Sequence, residues 1–523
     1  METPLTPLEF ARRARKLHPQ REAVVDAGRR FSYAEFLARC DRASAAFAAL
    51  GVRKGDRVAV LSPNSHALLE CFYSIPQLGA VIVPLNFRLA AGDFDYLIRH
   101  SGATVVCAHP DHLDAVDSIA RGLRRVRHFV AFGAARGAWL DYESLLAAAP
   151  RECPAAAVRE TDVLAINYTS GTTSRPKGVM ITHRNAWMNS VGALVHFPMR
   201  TGDRYLWTLP MFHANGWTFV WTVTAAAAVH LCLPRPEPAA VYSLIAEERA
   251  TVLCAAPTVL IAIANGPEEG RRRLPRGVRV LTAGAAPAAA TIRRIESELG
   301  WSITHAYGLT ETSPLITACE LRPEHAGFDA AEAAALKARQ GVEVITAGEV
   351  RVVDEQGAEV PRDGVSLGEI VARGNLVMKG YYRDPKATAQ AIRDGWFHTG
   401  DAAVVHPDGY VEIRDRFKDV IISGGENISS IEVEGVLLQH PAVREAAVVG
   451  MPDERWGESP HAFVVLRAGA GAAAAELREF CRARLAHFKV PSDFQFVEEL
   501  PKTATGKIQK FVLRRRRSAI SAQ

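Results

Sequence analysis

Lysine is the scarce residue of this 523-residue chain, with 11 positions against 51 arginines. A lysine inside a polar motif is therefore hard to dismiss as filler. It is also not interchangeable with arginine, being a compact point charge on a flexible stem. Paired cysteines are missing. Cys40, Cys71, Cys107, Cys153, Cys232, Cys254, Cys319 and Cys481 stand alone, with no Cys-x-x-Cys, which excludes a disulfide scaffold and fits reduced thiols in the cytoplasm. No apolar run reaches the ~18 clean residues of a membrane-spanning helix. The two most apolar stretches, 68–87 and 218–233, are broken by Glu70, Pro76 and Gln77 and by His230. The first twenty residues lack the apolar core of a signal peptide. Acidic residues are absent after Glu499, where Lys502, Lys507, Lys510 and Arg514 to Arg517 follow. These seven basic residues exceed the whole net charge of +5. The rest of the chain is slightly acidic, which argues against a nucleic-acid-binding face spread over the fold.

What is present fits a globular protein. Apolar residues make 48% and charged residues 23% of the chain, and the length allows roughly three structural units. Up to about residue 310, β-rich runs at 57–61, 80–84, 104–108, 163–167, 205–209, 251–255 and 278–282 alternate with helical patterns such as 66–78 and 238–248. That alternation predicts parallel sheets covered by helices. From Gly348 the pattern becomes short strands at 348–353, 368–373 and 410–414 with turn signals at 361–364 and 407–409, a small antiparallel unit. The last hundred residues return to mixed α and β, with helices near 430–439 and 473–485 and strands near 445–449 and 461–466. The expected boundary is the charged segment Arg414-Asp415-Arg416. This gives an N-terminal domain over 1–414, with its β unit at about 345–414, and a C-terminal domain over 415–523.

Three patterns mislead. Gly364-Val365-Ser366-Leu367-Gly368 has the spacing of a hydrolase nucleophile elbow, but that elbow needs a strand before the serine and a helix after it. A turn precedes this serine and a β-rich run follows it. Cys107, His109 and His112 lack a second half with zinc spacing. Arg514 to Arg517 reads as a solvated end.

The strongest segment is Tyr168-Thr169-Ser170-Gly171-Thr172-Thr173-Ser174-Arg175-Pro176-Lys177-Gly178, directly after the apolar run 163–166. Glycines let backbone N–H groups approach an anion, hydroxyls donate to it and Lys177 brings charge, so the segment is suited to polyphosphate. It is not a Walker loop, because Pro176 precedes the lysine and Gly178 follows it. By itself it could equally be a polar surface loop.

This segment resembles the phosphate-binding loop of the adenylate-forming superfamily, which includes acyl-CoA synthetases. Further signatures follow in that family's order. They are Met211-Phe212-His213-Ala214-Asn215-Gly216-Trp217, Gly284-Ala285-Ala286-Pro287, Ala306-Tyr307-Gly308-Leu309-Thr310-Glu311-Thr312, 396–401 ending in Asp401, Asp415-Arg416-Phe417-Lys418-Asp419 and 501–507 ending in Lys507. The resemblance implies an α/β fold: a large N-terminal domain of parallel sheets with a β-barrel-like unit, and a small α+β C-terminal domain that rotates about Asp415. It implies that ATP meets Thr169, Ser170, Gly171, Thr172, Thr173, Lys177, Gly284 to Pro287, Ala306, Tyr307, Gly308 and Thr310. Asp401 would take the ribose hydroxyls, Arg416 and Lys418 would contact the nucleotide, and Thr169 and Glu311 would hold Mg²⁺. His213, Asn215, Gly216, Trp217 and Gly308 would line an acyl pocket, with His213 as its gate rather than a general base. Lys507 would bridge the acyl carboxylate and the α-phosphate.

Ser423-Gly424-Gly425-Glu426-Asn427 resembles the CoA-contacting segment of short- and medium-chain acyl-CoA synthetases. Ile422 stands where some long-chain synthetases carry lysine. The implied activity is an acid–CoA ligase using ATP, Mg²⁺ and CoA, with a small carboxylic acid as substrate and no nucleic-acid partner. A homodimer is compatible with it. Two rivals are a stand-alone adenylation enzyme that loads a carrier protein and a nucleotide-binding relative without turnover.

Overall fold

The computed structural model describes residues 2–133, 135–150, 156–169, 175–417, 419–424, 426–453, 455–502 and 508–518. Among these residues four sheets are present. The largest has nine strands in the order Val342–Glu343, Leu315–Cys319, Ser302–Gly308, Arg279–Thr282, Val252–Ala255, Arg204–Leu206, Val229–Leu231, Glu22–Asp26 and Arg29–Ser32. Its interior, from Ser302–Gly308 to Glu22–Asp26, is parallel, and antiparallel strands close both edges. A second, eight-stranded sheet runs Gly380–Tyr381, Lys177–Thr182, Val163–Thr169, Val81–Pro84, Arg57–Leu61, Val105–Ala108, His128–Ala131 and Trp139–Asp141. It is parallel from Val163–Thr169 onward.

The main core lies between these sheets and holds Tyr33, Phe36, Phe72, Tyr73, Trp207, Phe219 and Trp221. Helix Tyr33–Ala49 starts at a capping box in which the Ser32 hydroxyl accepts from the Glu35 N–H and Glu35 accepts from the Ser32 N–H. Helix His66–Gln77 is buried from Ala67 to Pro76. This explains the near-continuous apolar run there: a helix enclosed on all sides has no polar face to show.

The third sheet is antiparallel: Glu349–Val353, Gly368–Arg373, Trp396–Val405 and Ile392–Arg393, with Val411–Arg416 also on Trp396–Val405. The fourth carries Glu426–Ile428, Ile421–Ser423, Gly457–Leu466 and Val443–Asp453, plus Asp493–Phe496. Its own core of Ile421, Val433, Leu437, Val448, Val464 and Leu477 is separate from the main one. The α/β architecture with a large N-terminal and a smaller C-terminal part matches the sequence expectation. No helix among the described residues is long and apolar enough to cross a membrane.

Two local expectations are corrected. The strand read at 205–209 ends at Leu206, because the Asn64 amide takes the carbonyls of Trp207 and Leu209, both at 3.0 Å, and draws the chain out of the ladder. The segment Arg414-Asp415-Arg416, at the expected boundary, ends strand Val411–Arg416. Arg514 is not a solvated end. It sits in helix Lys510–Ser518, whose Leu513 is fully buried, and its guanidinium lies 3.3 Å from Asp419. The decoy serine is resolved too: Ser366 donates its hydroxyl to Asp363 at 2.7 Å, closing a side-chain turn.

Candidate active site

The phosphate-loop motif forms a hairpin. Strand Val163–Thr169 leads into it and Lys177–Thr182 leads out, with Thr169 directly opposite Lys177. Ser170, Gly171, Thr172 and Thr173 lie outside the described residues. Strand Gly380–Tyr381 adds to the outgoing strand, with Tyr381 opposite Val179. This brings the Lys177 ammonium 4.8 Å from the centre of the Tyr381 ring. The Tyr381 hydroxyl donates to Glu311 Oε1 at 2.9 Å. Glu311 stands on the turn Thr310–Thr312 just past strand Ser302–Gly308, and its carbonyl accepts from the Met378 N–H at 2.8 Å. Desolvation pushes its carboxyl above the ordinary range, against the pull of the Tyr381 hydroxyl and the Arg416 charge.

Arg416 is the cation facing this cluster. It pairs with Asp401, Nε to Oδ1 at 3.0 Å, and the two residues are direct strand partners. The other Asp401 oxygen accepts the Tyr307 hydroxyl at 2.7 Å. Burial lowers the affinity of Arg416 for its proton, but Asp401, Tyr307 and Glu311 more than restore it. Ala306 is buried beside Tyr307, and Thr310 is half-buried. Gly308 has no room for a side chain, because a Cβ would stand 1.7 Å from the Pro314 carbonyl oxygen. Gly284, Ala285, Ala286 and Pro287 form the loop after strand Arg279–Thr282; Gly284 and Ala285 are exposed and Pro287 is buried.

Residues 211–218 are buried except His213, which is half-buried. The backbone there is unusual. Ala214, Asn215, Gly216, Trp217 and Thr218 have φ of 38°, 50°, 55°, 49° and 72°, one turn of left-handed helix. Each non-glycine residue in that region costs about 1–2 kcal/mol, so the surroundings must hold it. The turn sets Trp217 against the exposed Gly284, whose Cβ position is 3.6 Å from the indole.

Further along, Asp415 is buried. Its backbone pairs with Ala402 in the third sheet, while its carboxylate accepts from the Ser430 N–H at 2.9 Å and from the Ser430 hydroxyl. Ser430 opens helix Ser430–Leu437. The Lys510 ammonium donates to the same hydroxyl and pairs with Glu434 at 2.8 Å. Desolvation opposes the Lys510 charge, but Glu434 and Asp415 sustain it. Ser423 and Gly424 lie at the hairpin between Ile421–Ser423 and Glu426–Ile428, where the Gly424 N–H donates to the Trp456 carbonyl at 2.8 Å. Lys418, Gly425 and Lys507 lie outside the described residues. Lys502 and Ile508 form an isolated antiparallel bridge.

Residues 10–382 match the AMP-binding enzyme family, and residues 432–507 match the AMP-binding enzyme C-terminal domain. The chain belongs to the AMP-binding enzyme family. It is 41% identical to an acetate–CoA ligase of Humulus lupulus, over 99% of this chain and 96% of that protein. It is also 41% identical to a peroxisomal acetate/butyrate–CoA ligase of Arabidopsis thaliana, over 98% and 94%. The crystal structure of an anthranilate CoA ligase with anthranoyl-AMP superposes at a TM-score of 0.91, with 26% identity and full coverage of both chains.

In this member of the AMP-binding family, the expected nucleotide residues that are described fall into two contact sets, Lys177 and Glu311 joined by Tyr381, and Arg416 and Tyr307 joined by Asp401, with the Arg416 charge acting on Glu311. Sequence reasoning missed Tyr381, which ties Lys177 to Glu311, and Asn167, Trp456 and Lys510. Tyr381 and Trp456 lie outside the motifs and act on residues far away in sequence, so no spacing announces them. Lys510 carried the one usable signal, as a lysine in a chain with few.

Proposed function

We propose that this protein is an ATP-dependent acid–CoA ligase for a short- or medium-chain carboxylic acid. The carboxylate attacks the α-phosphorus of ATP, the bond to pyrophosphate breaks, and an acyl-adenylate remains. The CoA thiolate then attacks the acyl carbon and AMP leaves. The observation that carries the reading is that Tyr381 joins Lys177 to Glu311, while the Arg416 charge acts on Glu311 and pairs with Asp401, which also holds Tyr307. Two anions must meet for the first step, so fixed positive charge at the reacting centre is the main requirement.

Asp401 anchors the ribose, because a carboxylate with one protein donor on each oxygen keeps acceptor sites for two hydroxyls. Thr169 and Glu311 would hold a Mg²⁺ that arrives with ATP. The buried Glu311 carboxyl, short of full compensation in the protein alone, fits a role completed by a cation. Such a cation would neutralise the pyrophosphate oxygens. The C-terminal domain, from about Asp415 onward, presents Lys507 in the first step and the Ser423–Gly425 hairpin in the second.

The test supplies ATP, CoA and a panel of straight-chain acids to the purified protein. AMP, pyrophosphate and acyl-CoA in equal amounts are expected, with a requirement for magnesium. ADP as product, or acid-dependent AMP formation indifferent to CoA, would overturn the proposal.

A further inference from the structure

We infer that Asn167 is a positioning residue that links the phosphate-binding strand to the acyl pocket and sets acid selectivity, by holding residues 214–218 in their left-handed turn. The inference rests on the acid–CoA ligase reading above.

The turn is clamped at three levels by three elements. At its entry, Asn64 accepts from the Met211 N–H at 2.8 Å while its amide binds the carbonyls of Trp207 and Leu209. At its exit, the Thr218 hydroxyl meets the Ser190 hydroxyl of helix His183–His196 at 2.9 Å. Asn167 holds the middle. Its amide nitrogen donates to the Phe212 carbonyl at 3.0 Å and to Asn215 Oδ1 at 3.2 Å. Asn167 Oδ1 and Asn215 Nδ2 are buried with no partner of their own, so this tie is not one of several between the two side chains.

The turn also has a floor. A Cβ on Gly216 would stand 2.5 Å from the Trp207 ring, so the backbone rests directly on that indole. The turn cannot sink, and Asn167 stops it from unwinding sideways. What the strained backbone gains is the placement of Trp217, a bulky wall where residues 211–217 meet the Gly284 loop. Backbone held in a costly region at a ligand site points to function.

Asn167 lies two residues before Thr169 on the same strand, opposite Val179 on the strand that begins with Lys177. The acyl wall is thereby fixed to the two ends of the phosphate loop. A tie of this kind places the acid relative to the α-phosphorus, where small misplacements cost large factors in rate.

The test compares the full-length protein with Asn167→Ala and with Asn167→Ala combined with Ala214→Gly. The assay is pyrophosphate release with acetate, butyrate, hexanoate and octanoate at saturating ATP and CoA. Loss of the tie should lower kcat/KM for the preferred acid by about tenfold. It should also compress the ratio between preferred and disfavoured acids by about fivefold, because a displaced wall discriminates less. KM for ATP should stay within about twofold, a split that general misfolding would not produce. Glycine adopts positive φ without penalty, so Ala214→Gly in the variant background should recover most of the selectivity.

An unchanged acid ratio in Asn167→Ala overturns the inference. So does a uniform loss over all acids with a raised KM for ATP, which would assign Asn167 to the phosphate strand alone. Failure of Ala214→Gly to rescue overturns the part played by backbone strain. Hydrogen exchange of the peptide over 211–221 reads the turn without turnover: faster exchange in Asn167→Ala supports the clamp, and unchanged exchange refutes it. If the unsubstituted protein releases no pyrophosphate with any acid, the ligase reading fails, and the exchange measurement still decides the clamp.

Discussion

Asp401 offers the sharpest test of the nucleotide site, because two substitutions there separate folding from binding. Its carboxylate is 5% exposed, with Tyr307 on one oxygen at 2.7 Å and Arg416 on the other at 3.0 Å. Asp401→Ala strands the buried Tyr307 hydroxyl, at about 1–3 kcal/mol. It also frees Arg416, whose side chain is 31% exposed and so loses less than the 3–5 kcal/mol typical of a fully buried pair. The expected loss of stability is about 2–4 kcal/mol. Asp401→Asn keeps an acceptor for Tyr307 and should cost about half of that. Both remove the charged acceptor for the ribose hydroxyls, where hydrogen bonds to a charged group are worth about 1.5–3 kcal/mol each. ATP affinity should therefore fall at least about tenfold in Asp401→Asn, and further in Asp401→Ala. Calorimetric titration with ATP gives the affinity, and urea unfolding gives the stability. KM for the acid at saturating ATP should not change. A folded Asp401→Asn with unaltered ATP affinity would refute the ribose assignment, and parallel losses for acid and ATP would place Asp401 in general scaffolding.

Four further outcomes are expected. Desolvation raises the Glu311 carboxyl, so ionisation at neutral pH opposes folding; Glu311→Gln should raise the melting temperature at pH 7 and abolish adenylate formation, and a lowered melting temperature would contradict the assignment. His66 is held at about 9, Asp26 and Glu143 outweighing the opposing burial, so its stabilisation is complete below pH 6.5 and is lost as pH rises through 9. This is about 3 kcal/mol of pH-dependent stability that His66→Gln should erase from unfolding curves measured between pH 6 and 10. Lys510→Met leaves the Glu434 charge buried without its cation, at about 3–5 kcal/mol, and Glu434→Gln in the same chain should recover most of that in urea unfolding. Gly424 has φ of 59°, and any Cβ there would lie 2.8 Å from the Trp456 ring, so the cleaner probe of the hairpin is Trp456→Ala: thioester formation from supplied acyl-adenylate should fall about tenfold or more, with pyrophosphate release in the first step retained.

What the sequence disclosed depends on how chemistry is written along a chain. The expected phosphate loop needs glycines, hydroxyls and a lysine within a few residues, so 168–178 stands out as a unit in the sequence. Parallel strands buried on both faces read as short apolar runs, and those from 57–61 to 278–282 were placed within a few residues. The run at 205–209 was read too long because the agent that ends it, Asn64, lies far upstream. Tyr381, Asn167 and Trp456 act through contacts across 70, 45 and 32 residues respectively. Their roles exist only once the sheets are assembled. Arg514 misled for a related reason: it follows the short apolar run Phe511-Val512-Leu513, and only the folded C-terminal sheet supplies the surface that buries Leu513.

Successive side chains on a strand point to opposite faces. At the end of strand Val411–Arg416 that alternation sends Arg416 to Asp401 and the nucleotide cluster, and Asp415 to Ser430 of the C-terminal helix. One residue therefore answers to Asp401 and its neighbour to the C-terminal unit, with a single peptide bond between them. Asp415 is itself shared, its backbone in the third sheet and its carboxylate on Ser430, which Lys510 also engages three residues past Lys507. A rotation of the C-terminal unit must break or carry this Asp415–Ser430–Lys510 contact. Either way the torsion is delivered next to Arg416. Under the proposed function, with Asp415 as the pivot, the nucleotide cation lies one residue from it, and occupancy of the site reaches the C-terminal unit without a longer relay.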